Sequence, residues 1–123
     1  MTSAEGDRPP LPRVLIHLHV PKCAGSSINF AMARARRGRV LSGEPRKVAE
    51  RLSARVPEEN DALFDAVGGH FQWGMHRHFS KPHLYFSAVR EPLDRICSFF
   101  NYIHATPSHP LHACFRENLT DLN

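Results

Sequence analysis

A parallel sheet with helices packed on both faces, in three α/β/α layers, is the fold class this sequence predicts, and three observations predict it. Arg13 to Val20 (RVLIHLHV) is an almost unbroken apolar and β-branched run, the pattern of a strand buried on both faces. His83 to Val89 (HLYFSAV) is a second strongly strand-like run. Helical periodicities fill the chain between and after them, and strands that alternate with helices build a parallel sheet.

Taken in order, residues 1–12 are a polar, proline-rich leader and residues 13–123 a single domain. Pro21 ends the first strand, because proline cannot donate to a sheet ladder. A loop containing Gly25 follows, and Ser26 or Ser27 is placed to cap a helix that begins near Ile28, carries Ala31, Met32 and Ala35, and ends at Gly38. Residues 45–56 open with proline and space Val48, Leu52 and Val56 four apart, which predicts an amphipathic helix. A second short helix is expected over 57–66. Gly68-Gly69 breaks it, a third strand is expected near 67–71, and a histidine-rich segment covers 70–83. Pro92 opens a helix whose apolar positions Leu93, Ile96, Cys97, Phe100 and Ile103 keep the helical period. A loop around Pro107 and Pro110 leads to a last short helix from about Leu111. The closing LTDLN reads as the start of yet another helix. So few strands leave a parallel sheet poorly covered, so the sheet is expected to be incomplete at the C-terminus and the sequence to be a fragment or a shortened relative.

Bulk properties narrow the class. A hydrophobic fraction of 41% with 23% charged residues is that of an ordinary soluble protein. No apolar run approaches the ~18 residues of a membrane span. The N-terminus has acidic residues and prolines where a secretory signal has basic and then apolar ones, so a cytoplasmic location is expected. Cys23, Cys97 and Cys114 stand at no metal-type spacing, which suits a reducing compartment. The net charge of +4 favours anionic partners but is too mild to indicate nucleic acid. Protonating all nine histidines would raise it from +4 to +13, so surface charge depends on pH.

Chemistry concentrates in two segments. In residues 19–28 (HVPKCAGSSI), a strand feeds a glycine-containing loop and then a helix, which points backbone N–H groups and the helix dipole at one spot. Lys22 adds a full charge there, and Ser26 and Ser27 add hydroxyl donors. The triphosphatase motif GxxxxGK[ST] is absent, since this lysine precedes Gly25. By itself the segment is either an anion site or an ordinary strand–helix turn with a surface lysine. In residues 89–100 (VREPLDRICSFF), Arg90 at a strand end and Ser98 eight residues on are placed to share a phosphate. The alternative is that Arg90 and Arg95 pair with Glu91 and Asp94 on the surface.

Together, HVPKCAGSSI, GGHFQWGMHRHF and VREPLDRICSFFNYI resemble, in order and spacing, the sulfotransferase family that includes heparan sulfate 2-O-sulfotransferases and bacterial relatives. The resemblance spans about residues 13–115. It implies a P-loop-like fold and transfer of a sulfuryl group from 3′-phosphoadenosine-5′-phosphosulfate to a hydroxyl or amine, with carbohydrate as the default acceptor and no metal. By position, Lys22, Cys23, Ala24, Gly25, Ser26 and Ser27 would hold the 5′-phosphosulfate, with Lys22 also stabilising the leaving group. Arg90 and Ser98 would hold the 3′-phosphate, and His70 of the Gly-His segment would be the catalytic base. The implied partners are the nucleotide donor and an acceptor, without nucleic acid or a transmembrane segment. Two rival readings stay open: a homologue that binds nucleotide or polyanion without transferring anything, and a kinase-like protein, which would need the missing GK[ST].

Other signals have two readings each. His76, His78 and His83 are either acceptor-site residues or solvated, and a metal site built from them lacks accompanying ligands. Cys23 is either an activated thiol or simply a small loop residue. Phe71 and Trp73 line an acceptor cleft or belong to the core. Asn118-Leu119-Thr120 is a glycosylation sequon only in an exported protein.

Overall fold

The computed structural model describes residues 9–114 and 116. Most of the predicted leader, the expected helix at LTDLN and the Asn118 sequon lie outside these residues. The chain divides into two units, Met1–Ala88 and Val89–Asn123.

The first unit holds a four-stranded sheet. In chain order it comprises β1 (Val14–Leu18), α1 (Gly25–Ala35), β2 (Val40–Ser42), α2 (Pro45–Ser53), α3 (Pro57–Leu63), β3 (Ala66–Gly69), a 3₁₀ turn (Met75–His78) and β4 (His83–Phe86). The strands lie in the order β2-β3-β1-β4, and every pair is parallel, with Ile16 beside Val67 and Tyr85. The α/β class and the parallel sheet flanked by helices are therefore present. The sheet has four strands rather than the two or three the sequence suggests, because β2 is only three residues long.

Alternation along β1 divides the layers. Val14 and Ile16 are buried on one face with Leu41, Val67, Phe71, Met75 and Phe79, and α2 supplies Val48 and Leu52 to the same cluster. The opposite face carries His17, which meets Asn29 of α1. Proline at the first turn starts α2 and α3, where its missing N–H costs nothing. The first of these stops at Ser53, so Val56, expected on its apolar face, is 56% exposed. Buried Asn60 ties α3 down by donating its amide hydrogens to Leu52 O and His78 O, both at 2.9 Å.

At the amino end of the sheet, Asp65 is fully buried. It accepts from Arg36 Nε at 2.7 Å, Arg39 Nε at 2.8 Å and the Leu11 N–H at 2.8 Å, with Lys81 Nζ 3.7 Å away. Burial alone pushes this carboxyl up, but hydrogen bonds from Arg39, Leu11 and Arg36, with the Arg39 charge, outweigh it and hold the group at about 2.

In the second unit, α4 (Pro92–Ala105) is capped by Glu91, whose carboxylate accepts the Asp94 N–H at 2.8 Å. Ile103 is buried, and His112 donates from Nδ1 to the Ile103 carbonyl at 2.8 Å. A helical turn follows at 112–114, where the sequence predicts a last short helix. No helix among the described residues is long and apolar enough to cross a membrane.

Candidate functional site

The carboxyl end of β1 runs into the loop at 19–24, and two of its residues have left-handed backbones without being glycine: Lys22 at φ 62° and Ala24 at φ 59°. Such residues cost about 1–3 kcal/mol each and persist where the surroundings impose them. Left-handed residues in a turn tip successive N–H groups toward one concavity, the geometry of an anion nest. Ala24 is the N-cap of α1, with no side-chain cap, and the helix starts at Gly25. The expected start near Ile28 with a Ser26 or Ser27 cap is thus corrected: both serines lie exposed in the first turn. Their N–H groups and that of Gly25 precede the first main-chain bond of the helix, Ile28 N–H to Ala24 O at 3.1 Å. Lys22 is half-buried and Cys23 is buried.

Gly25 is required by a close approach. A methyl group there would overlap the His19 imidazole, which lies directly against it. His19 also donates its N–H to Gly69 O at 2.8 Å, which ties the end of β1 to the end of β3. His70, the next residue, stacks on His19 with ring centroids 4.2 Å apart and planes 19° from parallel. Its Nδ1 lies 2.8 Å from the His19 carbonyl oxygen. A carbonyl only accepts, so His70 carries its hydrogen on Nδ1, and the neutral ring keeps a lone pair on Nε2. His70 is exposed.

Beneath this pair, His17 is fully buried and stacks between His19 (5.8 Å) and Phe86 (5.0 Å). Its Nδ1 bonds Asn29 Oδ1 at 2.7 Å, while its Nε2 is buried without a partner. Burial lowers the pKa of His19, and the neighbouring His70 and His17 lower it further, since a cation there would stand among potential cations.

His19 therefore links Gly25 of the loop at 22–27 to His70. Arg90 and Ser98 belong to the second unit, Arg90 exposed just before α4 and Ser98 half-buried within it. His17, His19 and Asn29 escaped the sequence reading of the site. The signal for the two histidines was available: they stand two apart in the strand-like run 13–20, a spacing that places alternate residues on one face.

The remaining aromatic residues also resolve. Phe71 is core, whereas Trp73 is 68% exposed and stacks on Tyr85 at 4.2 Å. The Tyr85 hydroxyl accepts the N–H groups of Gly74 (3.2 Å) and His76 (3.1 Å) and lies 2.9 Å from His76 Nδ1. His76 stacks on His83 at 4.4 Å. Among the described residues no three His, Cys, Asp or Glu side chains are grouped to hold a metal ion.

The first strand of a parallel α/β sheet thus leads into a loop with two left-handed residues beside an exposed imidazole, an arrangement that can hold an anion. The sequence matches the sulfotransferase family over residues 12–119, and the chain belongs to that family, whose chemistry is sulfuryl transfer. No curated protein and no solved structure matches the chain.

Proposed function

We propose that this protein transfers the sulfuryl group of 3′-phosphoadenosine-5′-phosphosulfate to a hydroxyl or amine of an acceptor, with carbohydrate the acceptor class. The observation that carries the reading is the junction at His19, whose ring touches Gly25 of the loop on one side and His70 on the other. Donor-binding amides and a proton acceptor are then neighbours, as in-line transfer requires.

In this reading Lys22 and the amides of Cys23 to Ser27 hold the 5′-phosphosulfate, and Arg90 and Ser98 hold the 3′-phosphate. The acceptor oxygen attacks sulfur while the bond from sulfur to the bridging phosphate oxygen breaks. Negative charge grows on that leaving oxygen, where Lys22 and the loop amides stabilise it. The acceptor's proton passes to Nε2 of His70, leaving a sulfate ester (a sulfamate where nitrogen attacks), 3′-phosphoadenosine-5′-phosphate and protonated His70. That proton then returns to solvent.

Calorimetric titration with 3′-phosphoadenosine-5′-phosphate tests the donor site. The wild-type chain should bind, and Lys22→Ala and Arg90→Ala should each lose about 1.5–3 kcal/mol, roughly a 10–100-fold rise in Kd. A folded wild type that does not bind overturns the proposal. Binding indifferent to both substitutions would move the site elsewhere.

A further inference from the structure

We propose that His19 is a positioning residue for the transfer reaction: its imidazole, held between Gly25 and His70, sets the ring plane of His70 and keeps Nε2 of His70 as the proton-accepting atom. The inference rests on the reading of His70 as the base.

Three contacts carry it. The His19 carbonyl receives the Nδ1 hydrogen of His70 at 2.8 Å, which selects one of the two neutral tautomers. A single hydrogen bond leaves an exposed imidazole free to swing about the bond axis, so the carbonyl alone does not fix the plane. The second contact supplies that restraint: the His19 ring lies nearly parallel to His70, with centroids 4.2 Å apart. The third holds His19 itself. Its ring fills the space a side chain at position 25 would need, and its N–H is bonded to Gly69 O at 2.8 Å. One residue therefore references the base to the first turn of α1 and to the end of β3.

The surroundings also disfavour a charge on His19, which suits the role. A protonated ring stacked on His70 would repel the proton that His70 must accept. His17 faces His19 from within β1, His70 faces it from the segment after β3, and Gly25 brings the positive end of α1 against it. Burial first, then the neighbouring His70 and His17, lowers the His19 pKa.

Long-range ¹H–¹⁵N correlation spectra of the imidazole rings test this in the full chain, at about pH 8, above the ordinary histidine pKa. His70→Gln assigns the His70 signals by their loss. In the wild type, His70 should show a protonated Nδ1 and a bare Nε2. His19→Phe keeps a flat ring over His70 and should preserve that pattern, whereas His19→Ala and His19→Leu keep the carbonyl but lose the stack. In both, the His70 nitrogens should shift toward the averaged values of a mixed-tautomer ring. A wild-type His70 protonated on Nε2 would overturn the proposal, as would His19→Leu spectra identical to wild type. The outcome is independent of the base reading, which is checked separately. If His70→Gln hydrolyses 3′-phosphoadenosine-5′-phosphosulfate at the wild-type rate while the tautomer pattern is as expected, the base reading fails and the positioning geometry stands.

Discussion

Gly25 shows why a residue visible in a sequence can be assigned the wrong reason. A glycine in a strand–helix loop suggests a left-handed turn, yet the left-handed residues are Lys22 and Ala24. Gly25 is small because the His19 ring occupies the place of its side chain. Gly25→Ala should therefore act as an overpacking substitution, costing about 1–3 kcal/mol and displacing the imidazole. Urea unfolding would give the cost, and the His19 and His70 ring resonances would shift in the same variant. The same glycine at Gly38, which has φ 74° and open space around its Cα, owes its identity to backbone conformation alone. Both glycines were legible by position. The distinction between them needed His19, whose reach from β1 onto α1 no local pattern encodes.

At the scale of elements, segments with a strong apolar run, a helical period or an opening proline were legible, and the shortest strand was not. The runs at β1 and β4, and the helix opened by Pro92, were evident from apolar and β-branched content and from proline. By contrast β2 has three residues, too few for a period to register. The glycine pair expected to follow a helix closes β3, the strand expected near 67–71, and Gly68 makes room there for Asn29 of α1. This packing gives α1 its register on the sheet through the 2.7 Å bond between Asn29 Oδ1 and buried His17 Nδ1. Asn29→Ala should strand His17 with both ring nitrogens buried and unpartnered, costing about 1–3 kcal/mol. Replacing both partners by apolar groups removes the penalty along with the bond. The double variant Asn29→Ala, His17→Phe should thus recover much of the loss, and a double-mutant cycle in urea would measure the coupling. Additive effects would mean that the bond does not set the register.

For the molecule as a whole, the histidines and Asp65 predict an acid response in two stages. His19 has its pKa lowered by burial and by His70 and His17, so between its folded value and 6.5 the unfolded chain binds more protons. Stability from this source is complete above pH 6.5 and falls as the solution is acidified below it. Asp65 is likewise lowered, from 3.8 to about 2, despite the burial that opposes the shift. Its contribution is complete above 3.8 and is lost as pH falls toward about 2. Urea midpoints measured against pH should therefore decline below 6.5, flatten, and decline again below 3.8. Asp65→Asn should reduce the second decline, leaving the share of Glu58, whose carboxyl is lowered by its backbone and Ser80 hydrogen bonds, and lower the plateau by about 3–5 kcal/mol, because Arg36, Arg39 and Lys81 lose the buried charge they surround. His19→Phe should reduce the first decline, leaving the share of His76, whose pKa is lowered by burial and by His83 and Arg77, with the second decline intact. An unchanged second decline in Asp65→Asn would assign the acid sensitivity to other carboxylates and remove Asp65 as the anchor of the sheet's amino end.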